Sequence, residues 1–293
     1  MKTIIFSIGA IGRLFYRKFN NNSKYNIIGF IDNNKELKGQ FYDDKPIYMV
    51  DDIINLDFDK VLIGGVHYEA MENQLKDLGI TEDKIEMIED SQISYSDDIR
   101  SKKVDELVYL FCDIMEKENI KYYLIASSLL SLLRGDDLAK VSDVDIMLDS
   151  KEDLKRVYEI FKQYEEKFDM NVTNYLVDKQ TNFLNIGDSS FVTIASKSDP
   201  KISEPAMIDV NILFESKNHR FYRLGDKYIY FDKKYFEEIK YLDYKNIKMP
   251  VPHMYDQYLI ETYGEGYIVP PARWSEDDFI TLVSENDLLE VIK

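Results

Sequence analysis

A chain of 293 residues is long enough for two domains of ordinary size, and its 45% hydrophobic and 31% charged content is that of a globular protein. With 54 acidic against 37 basic side chains the net charge is -17, which argues against a nucleic-acid partner, because phosphate backbones are held by a basic face. The single cysteine, Cys112, excludes an internal disulfide, the 3 histidines are too scattered for zinc, and no apolar run reaches the roughly 20 residues of a membrane span.

The N-terminal apolar stretch is broken too soon by Gly9 to be a signal peptide, so the expected location is the cytoplasm. The first 90 or so residues alternate strand and helix. Strands are predicted over 3–8, over 25–31 ending in Asp32, over 60–65 and over 85–88, with helices over 9–20 and 69–79, the latter closed by Gly79. That alternation predicts a small parallel sheet with helices on both faces. Ser7-Ile8-Gly9-Ala10-Ile11-Gly12 keeps two of the three glycines of a dinucleotide fingerprint, and Asp32 lies at the offset of a ribose-binding acid. Gly9, Gly12 and Asp32 are therefore candidate binding residues for a nucleotide cofactor. The alternative is that Gly9 and Gly12 only permit a tight strand-to-helix packing, since Ser7 replaces the first glycine. Through Gly29-Phe30-Ile31-Asp32-Asn33-Asn34 and Lys45-Pro46-Ile47, the segment resembles the N-terminal Rossmann-like domains of sugar-modifying enzymes from bacterial polysaccharide pathways.

Residues 90–101 are polar and without period, which places a boundary between domains at 1–95 and 102–293. Val104, Leu107, Val108, Phe111, Ile114 and Met115 recur at helical spacing in a helix over 102–119. A strand over 122–126, a helix over 129–134, a strand bearing Asp143 and Asp145, a helix over 151–167, and strands near 171–177, 191–195 and 207–214 follow. The fold class is thus α/β plus α+β, a small Rossmann-like parallel sheet followed by a nucleotidyltransferase-like mixed sheet with helices.

The chemistry is concentrated in Ser127-Ser128, Asp143-Val144-Asp145 and Asp209. Carboxylates on alternate residues of a strand share a face and can share divalent cations. Ser127 and Ser128 stand at a helix start, where free amides can hold a phosphate. Asp209 is a lone acid in the apolar run 206–214, where an unpaired carboxylate is costly to bury.

The stretch Ser127-Ser128-Leu129-Leu130-Ser131-Leu132-Leu133-Arg134, then Ser142-Asp143-Val144-Asp145, resembles the LicD family of phosphocholine transferases and fukutin-related enzymes. So do Val251-Pro252-His253-Met254-Tyr255-Asp256-Gln257-Tyr258-Leu259, Tyr263-Gly264 and Pro270-Pro271, the two matches together covering about 103–274. The resemblance implies transfer of a phospho-alcohol from a CDP-activated donor to a sugar hydroxyl of a cell-surface glycan or its precursor. It implies Mg2+ or Mn2+ on Asp143, Asp145 and Asp209, with Asp209 also able to take a proton, and substrate phosphates on Ser127, Ser128 and Arg134. Arg134 has an alternative as a cation at a helix C-terminus. Two rival functions stay open: nucleotidyl transfer from a nucleoside triphosphate to a small-molecule hydroxyl, and non-catalytic nucleotide sensing. Ser127, Ser131 and Gly135-Asp136-Asp137 depart from the family pattern, which leaves the substrate open.

Overall fold

The computed structural model describes residues 1–20, 22–65, 67–89, 98–197, 204–269 and 276–293. The described chain divides into two units, one within 1–89 and one within 98–293. Most of the expected boundary at 90–101 lies outside the described residues, as do Pro270, Pro271 and Trp274.

In the first unit β1 (Lys2–Phe6) leads through α1 (Ala10–Phe19) to β2 (Asn26–Asp32). Next come β3 (Phe41–Tyr42), β4 (Lys45–Met49), β5 (Lys60–Ile63), α2 (Tyr68–Asp77) and β6 (Ile85–Met87). The strand order is β3-β4-β2-β1-β5-β6, parallel except for β3 on β4. Successive strand residues point to opposite faces, so the sheet buries two separate clusters. Ile5, Phe30 and Leu62 pack with Phe15, Tyr16 and Phe19 of α1 on one face. Ile4, Phe6, Val61 and Ile63 pack with Leu75 of α2 on the other. Each such side chain contributes about 1.5–3 kcal/mol when fully buried, so the two helices are what make a parallel sheet of this size stable. The strand expected over 3–8 stops at Phe6 because Ser7 turns to a φ of 78°, and β4 is a strand that periodicity did not reveal.

The second unit runs α3 (Asp98–Lys117), β7 (Tyr122–Leu124), α4 (Ala126–Leu133), β8 (Val144–Leu148), α5 (Lys151–Lys162), β9 (Met170–Leu176), β10 (Ser189–Ser196) and β11 (Met207–Ile212). These strands pair as β7-β8-β11-β10-β9, with β8 and β11 parallel and the other pairs antiparallel. The result is the expected mixed sheet with helices. The apolar stripe of α3 is buried as its spacing implies, and its Phe111 stacks on Phe161 of α5 with ring centroids 5.5 Å apart.

The C-terminal part adds β12 (Phe214–Glu215), β13 (His219–Leu224), β14 (Lys227–Asp232), β15 (Ile239–Tyr244), β16 (Ile247–Pro252), α6 (Tyr255–Tyr263), β17 (Leu282–Val283) and α7 (Glu285–Val291). The antiparallel sheet β12-β13-β14-β17 and the hairpin β15-β16 were not expected. Tyr258 of α6 is fully buried with its ring edge-on to Phe231 and Phe236, at 4.8 and 5.5 Å between centroids. Among the described residues no helix is long and apolar enough to cross a membrane.

Gly12 fixes how closely α1 packs on β1. A Cβ there would lie 1.9 Å from the Ser7 carbonyl oxygen, a backbone atom that cannot swing away, whereas at Gly9 it would meet only the Ser7 Oγ at 3.1 Å. Overpacking of this kind costs about 1–3 kcal/mol. Gly12→Ala is therefore expected to lower the melting temperature of the first unit by about 4 °C or more, and Gly9→Ala by less; equal melting of Gly12→Ala and the parent chain in calorimetry contradicts this packing.

Candidate active site

Asp145 is the second residue of β8 and Asp209 the third of β11, and the parallel register pairs them directly. Thr193 of β10 pairs with Asp209 from the other side, so one rung of the sheet reads Asp145, Asp209, Thr193. Residues on one rung share a face. Asp143 stands in the bend one residue before β8, not in the strand as expected, yet near enough for its charge to act on both other acids.

β7 delivers the chain to α4 through Ala126, whose φ of 50° makes the turn. The Ser127 hydroxyl donates to Asp145 Oδ2 at 2.8 Å. Ser128, fully buried, accepts the Asp145 amide on its Oγ at 2.8 Å and directs its own hydroxyl at the Asp143 carbonyl, 3.3 Å away. The hydroxyl pair and the acidic pair therefore fix each other's position. The remaining acids each receive a hydroxyl as well, Asp143 from Ser142 and Asp209 from Thr193, the latter at 2.6 Å.

Burial pushes the Asp145 carboxyl well above the usual carboxylate range, and the like charges of Asp143 and Asp209 push the same way, against the Ser127 hydroxyl and Ser128 amide. Burial also raises Asp209, to about 6, with the Thr193 hydroxyl opposing and Asp143 adding to the shift. Negative charge is thus unfavourable here without a cation or donors to meet it. Among the described residues, however, no three His, Cys, Asp or Glu side chains are gathered closely enough to hold one metal ion. Each of the three carboxylates, Asp143, Asp145 and Asp209, accepts a hydroxyl of its own. Their hard oxygens remain suitable donors for Mg2+ or Mn2+.

Arg134 ends α4 and donates to the Tyr267 and Ile268 carbonyls at 2.6 and 2.7 Å, so its guanidinium is engaged by main chain at the far end of the helix from Ser127. Gly9, Gly12 and Asp32 belong to the first unit. There Asp32 accepts the Ile8 and Asn34 amides, at 2.9 and 2.8 Å, and Gly9 donates to the Ser7 hydroxyl at 3.0 Å. Several site residues escaped the sequence reading. Arg100 of α3 is 1% exposed and gives its donors to the carbonyls of Ala139, Ser142 and Glu204, pinning the segment that leads into Asp143. Tyr222, Tyr258 and Tyr263 come from β13 and α6, and burial raises all three phenols, with the charge of Asp145 contributing.

Residues 1–86 match a family model described as C2185-like, N-terminal. No curated protein matches the chain. Among solved structures, it is similar to the lincosamide antibiotic adenylyltransferase LnuA with lincomycin bound, at 14% identity and a TM-score of 0.34, over 64% of this chain and 97% of that one. It is similar to an antigenic nucleotidyltransferase-like protein from Paracoccidioides brasiliensis, at 15% identity and a TM-score of 0.32, over 58% and 73% of the two chains. A protein named RSP, in complex with beta-NADH, matches at 20% identity and a TM-score of 0.25, over 40% of this chain and 60% of that one. At these scores the likenesses assign neither an activity nor a ligand.

The family model that matches is the C2185-like N-terminal one and not LicD, which corrects the LicD resemblance and with it the CDP-activated alcohol and glycan it implied. The strings that carried that resemblance have other work in the fold. Arg134 is held by the Tyr267 and Ile268 carbonyls, and residues 251–259 are the end of β16 and the packed start of α6.

The raised Asp209 carboxyl makes stability depend on pH with a definite sign. Between about pH 4 and about pH 6 the folded chain keeps a proton that the unfolded chain has released, so stability falls as pH rises through that window. Asp209→Asn keeps an acceptor for Thr193 and removes the titration. In EDTA it is expected to melt above the parent chain at pH 7.5 and level with it at pH 4; a lower melting temperature at pH 7.5 contradicts the assignment.

Proposed function

We propose that the second unit is a metal-dependent nucleotidyltransferase, moving a nucleoside monophosphate from a nucleoside triphosphate to the hydroxyl of a small molecule. The reading is supported by the rung that sets Asp145 beside Asp209 while the first turn of α4 brings Ser127 and Ser128 to the same carboxylate. The proposal assigns the chemistry to 102–293 and not to 1–95.

A helix N-terminus offers unpaired amides and the positive end of the helix dipole, which suit the terminal phosphates of a triphosphate. The Ser127 and Ser128 hydroxyls add two donors at that point. Asp143 and Asp145 are the residues that would hold Mg2+ or Mn2+, which when bound supplies neutralisation of the phosphates and polarisation of the α-phosphate. In a chain of net charge -17 an anionic donor needs that neutralisation. The acceptor oxygen bonds to the α-phosphorus, the bond to the bridging oxygen breaks, and pyrophosphate leaves. The acceptor's proton passes to Asp209, whose carboxyl at about 6 is matched to proton uptake near neutral pH. Arg100 and Thr193 orient Asp143 and Asp209 without touching substrate.

Release of pyrophosphate from the four nucleoside triphosphates, measured with Mg2+ and a panel of small hydroxyl acceptors, tests the reading. Activity is expected in the parent chain and at background in Asp143→Ala and Asp145→Ala, both with unchanged circular dichroism. Full turnover in either variant would sink the mechanism.

A further inference from the structure

The sheet β7-β8-β11-β10-β9 has two unlike faces. Val144, Ile146, Val192, Ile194, Ile208 and Val210 alternate onto the face against which α5 lies, and all six are buried. The residues between them turn to the other face, where Asp209, Asn211 and Phe191 are only half-buried. Tyr175 of β9 carries that face to the sheet edge and is 44% exposed. Strand pairing puts Asn211, Phe191 and Tyr175 on one rung, the next rung of this face after Asp145, Asp209 and Thr193. Phe191 and Tyr175 stack, with ring centroids 4.2 Å apart and planes 8° from parallel. At about 3.3 Å per residue and about 4.8 Å per strand, the Phe191 Cα lies about 8 Å from that of Asp209 and about 12 Å from that of Asp145.

We propose that the Phe191–Tyr175 stack is the platform on which the acceptor of the proposed reaction rests, so that the acceptor is a small alcohol carrying a ring. The proposal builds on the nucleotidyl-transfer reading of the acids. In-line displacement separates acceptor from donor, because the attacking oxygen and the leaving pyrophosphate lie on opposite sides of the α-phosphorus. α4 follows β7, on the side of β8 away from β11, and brings Ser127 and Ser128 to Asp145 from there. The pyrophosphate is assigned to that side. Asp209 lies on the other, with β10 and β9 beyond it. An acceptor whose hydroxyl meets Asp209 therefore extends over those two strands, and its ring lands on Phe191 and Tyr175. An aromatic face attracts the polarised C–H groups of a sugar ring as it does the edge of another aromatic ring. Asn211, on the same rung, adds an amide that can both donate to and accept from a ring hydroxyl.

Saturation-transfer NMR on the full chain, without nucleotide, tests the platform separately from turnover. The probes are methyl glycosides, disaccharides and 2-phenylethanol, set against the open-chain alcohols glycerol and ribitol. Ring probes are expected to take up saturation and the open-chain alcohols far less. Uptake by the glycosides alone makes the acceptor a saccharide, and uptake by phenylethanol alone makes it an aromatic alcohol; both support the platform. Tyr175→Ala, at an exposed position, is expected to weaken ring binding about tenfold, and Tyr175→Phe, which keeps the ring, to restore it. In pyrophosphate release with a ring acceptor, Tyr175→Ala is expected to raise the acceptor KM about tenfold while kcat changes less than about twofold. A raised KM for the triphosphate in its place puts the nucleobase on the stack and overturns the proposal. Ring binding by a chain that releases no pyrophosphate contradicts the proposed function and supports the platform. Absence of saturation transfer to every ring probe, equal uptake by the open-chain alcohols, or ring binding that survives Tyr175→Ala overturns the platform itself.

Discussion

Two carboxylates placed side by side on a partly buried rung repel each other, and the parallel pairing of β8 with β11 puts Asp145 beside Asp209 in just that way. Much of the second unit's local architecture answers this constraint. Ser127, Ser142 and Thr193 each give a hydroxyl to an acid, the Ser128 amide faces Asp145, and Arg100 ties down the segment before Asp143. Under the proposed function these hydroxyls give way to a cation and a polyphosphate, which a lysine salt bridge at the same place would oppose.

The acids and the hydroxyl pair were legible in the sequence because their neighbours are apolar. Val144 and Ile146 around Asp145, and Ile208 and Val210 around Asp209, mark buried strands in which a carboxylate is conspicuous. Thr193 could not be read in the same way, since its role comes from the register of β10 on β11, and register is settled between strands and not along one. Arg100 looks in sequence like any basic residue near the start of an amphipathic helix; only folding shows that it is buried under the loop to Asp143. Tyr258 and Tyr263 stood in the strings that carried the LicD resemblance, and nothing in those strings shows their nearness to Asp145.

The LicD resemblance failed for a physical reason. Leu129, Leu130, Leu132 and Leu133 followed by Arg134 are what a short buried helix with a cation at its end requires, and Val251 to Leu259 is what a strand entering a packed helix requires. Such strings report local structure that unrelated chains share. In the first unit the glycine fingerprint had the same ambiguity. Gly12 is needed for the approach of α1 to Ser7, and Asp32 is needed to hold the Ile8 amide, so both residues have structural duties.

The pairing of the acids with a nucleotide is most directly seen by diffraction at the manganese edge from crystals soaked with Mn2+ and a non-hydrolysable nucleoside triphosphate. The expected result is an anomalous peak bonded to Asp143 and Asp145, with the triphosphate on the first turn of α4 against Ser127 and Ser128. Manganese and nucleotide ordered elsewhere in the chain, with the three acids still paired to their hydroxyls, contradicts the account.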